Sequence, residues 1–177
     1  MAAPAREEAS RAERAFVFAN RWVLIVLMGV MATLVFANVV GRYAFNASIV
    51  WVEEITRYMM VWVGFLGSGL VLRFGAHIAV DTFQDLLSAP AARALRVAIV
   101  VLLAALFAWM TWLGIRYVGF AWDQTTPILQ WRMGYVYLAV PIGSALMLVH
   151  LLLIARRYIA DRSFVKDEHF SPEEAAT

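Results

Sequence analysis

The chain contains no cysteine, so disulfide cross-links and thiol chemistry are excluded. Charge is scarce as well: 16% of the 177 residues are Asp, Glu, Lys or Arg, against ~25% in an ordinary soluble domain. The formal net charge is only +2, which gives no footprint for nucleic acid. No phosphate-binding glycine loop, dinucleotide fingerprint, His-Glu-x-x-His pair or acyl-transfer nucleophile constellation is present. The histidines are three, His77, His150 and His169, too few and too scattered for a metal or haem centre, so no cofactor is expected. No polar stretch is long enough for a soluble catalytic domain, and the chain is not expected to be an enzyme.

What the chain does have is apolar residues, 63% of the total, gathered in runs at about 22–40, 58–72, 97–115 and 133–154. Crossing ~30 Å of hydrocarbon takes ~20 helical residues. The first, third and fourth runs meet that length. The second, Tyr58–Leu72, gives only ~22 Å at 1.5 Å per residue, whereas a start at Trp51 gives ~33 Å. The second helix is therefore expected to begin inside the charged block Trp51-Val52-Glu53-Glu54-Ile55-Thr56-Arg57-Tyr58. A soluble helical bundle is excluded by segments such as Val97–Met110, which have no polar face. The first run lies too far from the start for a simple signal peptide and is expected to be a retained helix. The expected fold is an all-α integral membrane protein with four transmembrane helices. A cytoplasmic segment (1–21) precedes the membrane domain (22–155), and a cytoplasmic tail (156–177) follows it.

Basic residues set the orientation. Eleven of the 15 fall on one side, in the N-terminal segment, the second connection and the C-terminal tail. Arg42, Arg116 and Arg132 fall on the other, and Arg57 lies within a span. The positive-inside rule then places both termini in the cytoplasm.

The charged block is the best candidate for a functional site, because charge at the edge of lipid is expensive unless something receives it. Glu53 and Glu54 lie four and three positions before Arg57, so either can meet it on one helix face. Three roles fit: ion pairing within the helix with Arg57 reaching the interface, contact with a partner membrane protein, or, least favoured, conduction of a substrate or ion through this chain. The same face continues through Met60, Gly64, Gly67 or Ser68, and Val71. In the first span Gly29, Thr33, Ala37 and Gly41 form a small-residue stripe of the kind that lets helices approach closely in lipid. Asn38 is expected to bond another helix or interfacial water, and Arg42 with Tyr43 suits headgroup depth.

After the second span, Arg73-Phe74-Gly75-Ala76-His77-Ile78-Ala79-Val80-Asp81 reads as a tight cytoplasmic turn, with Gly75 ending the helix. A short amphipathic interfacial helix, ended or interrupted by Pro90, is expected after it. Pro141, beside Gly143 and Ser144, predicts a kink or local widening in the fourth span. His150 is expected to reach the cytoplasmic interface.

In order and spacing, several pieces resemble the small membrane subunit of tripartite ATP-independent periplasmic (TRAP) transporters. They are Gly41-Arg42-Tyr43-x-Phe45-Asn46, Trp51-x-Glu53-Glu54-x-x-Arg57-Tyr58, Trp62-x-x-x-Phe65-Leu66-Gly67, Gly75-Ala76-His77-Ile78-x-Val80-Asp81, Pro127-x-Leu129 and Tyr137-x-x-x-Pro141-x-Gly143. The resemblance covers about residues 20–157. It implies a four-helix subunit of a bacterial or archaeal cytoplasmic (inner) membrane, in contact with membrane lipid and with no substrate or ion site of its own. Its implied partners are a large multi-span subunit, which holds the substrate and sodium sites, and a periplasmic solute-binding protein that delivers the solute. The implied process is sodium-dependent symport of an organic acid, such as a dicarboxylate or sialic acid. By similarity, Arg42, Trp51, Glu53, Glu54, Arg57, Tyr58, Gly64 and Ser68 would serve the subunit interface. Arg73, Gly75, His77 and Asp81 would order the cytoplasmic turn, and Gly29, Thr33, Ala37, Pro141 and Gly143 would serve helix packing. The segment Gln130-Trp131-Arg132 departs from relatives, which often have smaller or apolar residues there. A small homo-oligomeric exporter and the membrane anchor of a redox complex are the alternative readings.

Overall fold

The computed structural model describes residues 11–73 and 87–161. Five helices account for nearly all of them: α1 (Arg11–Ala44), α2 (Val50–Arg73), α3 (Ala89–Ala121), the single turn α4 (Gly134–Tyr137) and α5 (Ala139–Asp161). Four segments are long and apolar enough to span a membrane: Glu13–Ala44, Val50–Arg73, Ala89–Ala121 and Gly134–Arg156. The protein is thus an all-α, four-span membrane protein. Its outward surface suits lipid, with Phe36, Leu102 and Phe120 each 70% exposed.

The second helix does begin with the charged block. Val50–Arg73 is 24 residues, or ~36 Å. Glu53 lies in its first turn and Arg73 in its last, each complementing the helix dipole. The turn before it is sharp. Gly41 ends the first helix by accepting the N–H groups of Phe45 (3.2 Å) and Ala47 (3.0 Å) through its carbonyl. A Cβ on Gly41 would lie 2.9 Å from the Ala47 carbonyl oxygen, so the return of the chain needs glycine there. Asn46 takes a left-handed φ of 50°, a conformation asparagine tolerates better than most residues.

Two prolines shape the helix ends. Pro90 sits in the first turn of α3 and starts that helix, where its missing N–H costs nothing. The interfacial helix expected before it, and the turn residues Gly75, His77 and Asp81, lie outside the described residues. Pro141 sits in the first turn of α5, and the helix breaks before it, between Tyr137 and Ala139. A proline ring crowds the carbonyl four residues back, here that of Tyr137, so the distortion falls one turn upstream of the proline.

The fifth helix is the centre of the bundle and packs along both α2 and α3, while α1 leans chiefly on α2. Gly143 allows the closest approach: an added Cβ would stand 2.6 Å from Phe65 Cβ and 2.9 Å from its carbonyl oxygen. Gly114 of α3 meets Pro141 in the same way, at 2.8 Å from Cδ. Toward the Arg73 end a core forms from Leu72, Val100, Phe107, Leu151 and Tyr158.

The stripe Gly29, Thr33 and Ala37 does not serve packing within this chain. All three are exposed, and a Cβ on Gly29 would meet nothing within 4 Å. The inward face of α1 carries Leu24, Leu27, Met31, Leu34 and Asn38 instead. With α2 as its main neighbour, α1 buries the face with the larger apolar side chains and leaves the small stripe outward.

Candidate functional site

The charged block sits at the end of the bundle that carries the α1–α2 and α3–α4 connections. Its two carboxylates have different jobs. Glu54 is buried, with 5% relative exposure, and points into the bundle. Its Oε2 accepts the backbone N–H groups of Ile128 (2.9 Å) and Leu129 (3.0 Å), and its Oε1 accepts the Tyr58 hydroxyl at 2.8 Å. These donors converge on a carboxylate that makes no ion pair among the described residues. Hydrogen bonds to an ionised acceptor are shorter and stronger than neutral ones, which makes a carboxylate an effective tether for two successive amides.

The tethered connection is itself ordered. Thr125 and Arg132 form an antiparallel bridge. Thr126 donates its N–H to the Trp131 carbonyl (2.7 Å), and its Oγ1 accepts the Trp131 N–H (3.1 Å). Gln130 turns the chain with φ 55°, and its Nε2 donates to the Pro127 carbonyl at 2.9 Å. Below the loop, a Cβ on Gly134 would lie 2.3 Å from the Trp122 ring. The loop is therefore fixed from both its own hydrogen bonds and Glu54.

Glu53 faces outward and pairs with Arg42, whose guanidinium also reaches the Ser48 hydroxyl at 3.4 Å. Both members are about half exposed, so the pair contributes little to stability. Asn38 Oδ1 accepts the Ile49 N–H at 2.7 Å, so its partner is the turn just before α2 rather than another helix or interfacial water, and it ties that turn to α1.

Arg57 joins neither carboxylate. It is exposed and makes no ion pair among the described residues. The helical spacing that brings Glu53 or Glu54 within reach of Arg57 is real, but Arg42 and the loop amides take those oxygens. Trp51 is 42% exposed. Met60 and Gly64 are exposed on the Arg57 side of α2; a Cβ on Gly64 would meet nothing within 4 Å, and Ser68 Oγ donates to its carbonyl at 2.7 Å.

A second polar cluster lies toward the opposite end. Arg73 pairs with Glu13, and both side chains are buried, at 4% and 9% exposure. Asn20 donates to the Leu66 carbonyl (3.3 Å) and lies 3.4 Å from His150 Nε2. The imidazole is fully buried, against the Phe16 ring at 4.9 Å and against Gly69. His150 therefore does not reach the interface: the gap left by Gly69 admits its ring into the bundle. Glu13 and Asn20 carry no sequence signal for this role, except that they are seven residues apart on one helix face.

The sites hold no nucleophile paired with a base, and what they do is join helices. Comparison with known proteins agrees. Residues 31–161 match the family described as tripartite ATP-independent periplasmic transporters, DctQ component. The chain is similar to the ectoine TRAP transporter small permease protein TeaB of Halomonas elongata, with 28% identity over 78% of this chain and 74% of that protein. It is 29% identical to the C4-dicarboxylate TRAP transporter small permease protein DctQ of Vibrio cholerae, over 81% of this chain and 72% of that protein. It also matches the isethionate TRAP transporter permease protein DctMQ of Oleidesulfovibrio alaskensis, at 29% identity over 60% of this chain but 17% of that larger protein. Such small subunits pair with a large permease subunit and are not enzymes. The chain belongs to the DctQ family: it is a small permease subunit of a TRAP transporter, a multi-pass protein of the inner membrane.

Proposed function

We propose that this chain braces the large transport subunit of a sodium-coupled importer, with an organic acid delivered by a periplasmic solute-binding protein. The observation that carries this reading is the asymmetry of the charged block. Glu53 and Glu54 are satisfied within the chain, while Arg57, Met60 and Gly64 stay open on the outward face of α2. An open cation on a lipid-facing helix invites an acidic or carbonyl partner, and a glycine beside it lets that partner's backbone come close. The outward stripe Gly29, Thr33 and Ala37 on α1 offers a second such face. Glu54 then acts indirectly, by fixing the loop, while Arg42 and Trp51 frame the same end.

Both termini lie in the cytoplasm in this reading, so the bridged loop faces the periplasm and Gly75, His77 and Asp81 lie on the cytoplasmic edge. Sodium and solute bind the large subunit, and this chain carries no cofactor. The relatives are named for ectoine, C4-dicarboxylates and isethionate, so the identity of the solute rests with the other subunits.

The test is reconstitution in liposomes, with and without the large subunit and the receptor. Sodium-driven, receptor-dependent uptake is expected only when all three are present. Uptake by this chain alone, or uptake by the large subunit undiminished when this chain is left out, would sink the reading.

A further inference from the structure

A groove of about 180 Å³ opens between α2 and the single turn α4, below the bridged loop. Its walls are Tyr58, Met59, Trp62, Trp131, Tyr135 and Val136, and almost all of the lining is apolar. Trp62 lies 12 residues beyond Val50, or ~18 Å down the helix, so the groove runs from the membrane edge into the hydrocarbon. Trp131 and Tyr135 stand at its mouth, 52% and 51% exposed, at the level where aromatic residues meet headgroups.

A cation stands next to the mouth, one residue beyond Trp131. The Arg132 guanidinium carbon lies 5.8 Å from the centre of the Trp122 ring, and that ring lies 5.3 Å from the Tyr135 ring. Arg132 makes no ion pair among the described residues, and Asp123 on the same loop does not pair with it. A guanidinium matches phosphate oxygens two at a time. An apolar slot open sideways to lipid, with beside it a guanidinium that stacks on Trp122 but has no acidic partner among the described residues, has the two-part chemistry of a phospholipid.

We propose that this groove holds the headgroup-proximal part of one acyl chain of a phospholipid whose phosphate is received by Arg132. The lipid would fill the space beneath the loop that Glu54 holds, and so would become part of this end of the subunit.

The experiment uses the complex with the large subunit in nanodiscs containing phosphatidylglycerol with a photoactivatable diazirine on its acyl chain. Adducts are expected on the segments 58–62 and 131–136, well above those on the lipid-facing stretch 101–106 of α3. Val136→Trp, which fills the groove, should abolish that excess while the complex still co-purifies. Arg132→Gln should lower it about tenfold, as loss of a charge-assisted contact does, and Arg132→Lys should restore part of it. Labelling no higher than on α3, or unchanged labelling in the filled variant, would overturn the proposal. So would labelling of the isolated chain that disappears in the complex, because the occupant would then be the large subunit.

Discussion

Glu54 Oε2 and the backbone N–H of Leu129 meet at 3.0 Å across 75 positions of sequence. The contact joins a helix of the membrane domain to a loop outside it. It sets what the charged block does and what its loss would do.

Glu54→Ala removes the acceptor for both Ile128 and Leu129. Hydrogen exchange at these two amides should rise about tenfold or more, with no change at the core of α3. Glu54→Gln keeps one acceptor oxygen and should give a smaller rise. Equal exchange in all three proteins would show that the loop's own bonds suffice.

The glycines divide into two classes. Gly143→Ala drives a methyl group against the Phe65 backbone, and such overpacking costs ~1–3 kcal/mol. Gly114→Ala, against the Pro141 ring, should behave likewise. Gly29→Ala and Gly64→Ala meet open space and should leave the melting temperature of the isolated chain unchanged or slightly higher. Gly64→Leu should still fold yet reduce co-purification with the large subunit. Thermal unfolding in detergent and pull-down measure the two effects separately.

Breaking the buried Glu13–Arg73 pair from one side strands the other charge, at ~3–5 kcal/mol. Glu13→Gln and Arg73→Met should therefore each destabilise strongly. Their combination should cost less than the sum, as measured by a double-mutant cycle. Strict additivity would mean that the two groups do not interact.

The absence of native cysteine allows a clean test of orientation. Gln130→Cys should react with a membrane-impermeant maleimide in intact cells. Ser88→Cys, exposed at the other end, should react only after permeabilisation. The reverse pattern would invert the topology.

Local features were legible in the sequence. The shortness of Tyr58–Leu72 placed the start of α2 inside the charged block, and Pro141 marked the break in the fourth span. Partners were not legible. Nothing in the spacing of Glu54 and Arg57 shows that amides from residues 128 and 129 will claim the carboxylate. Nor could apolar periodicity tell the packed face of α1 from the free one. Lipid and protein interior are both apolar, so Gly29, Thr33 and Ala37 look alike whether they meet a helix of this chain or something outside it. His150 was misread for a related reason: its nearness to the basic flank was visible, but the hole opposite Gly69 was not.

The Glu54 contact also has a schedule. At ~5–20 residues per second, the ribosome needs roughly 4–15 s to travel from Glu54 to Leu129, 75 positions later. The second helix therefore reaches the translocon with its acid still unmatched, and the bond that settles it can close only once the third helix has crossed. Assembly of this subunit thus includes a long-range step: in a nascent chain halted before residue 128 the Glu54 carboxylate has no loop amide to receive it, and the final helix, which packs along α2, is still to come.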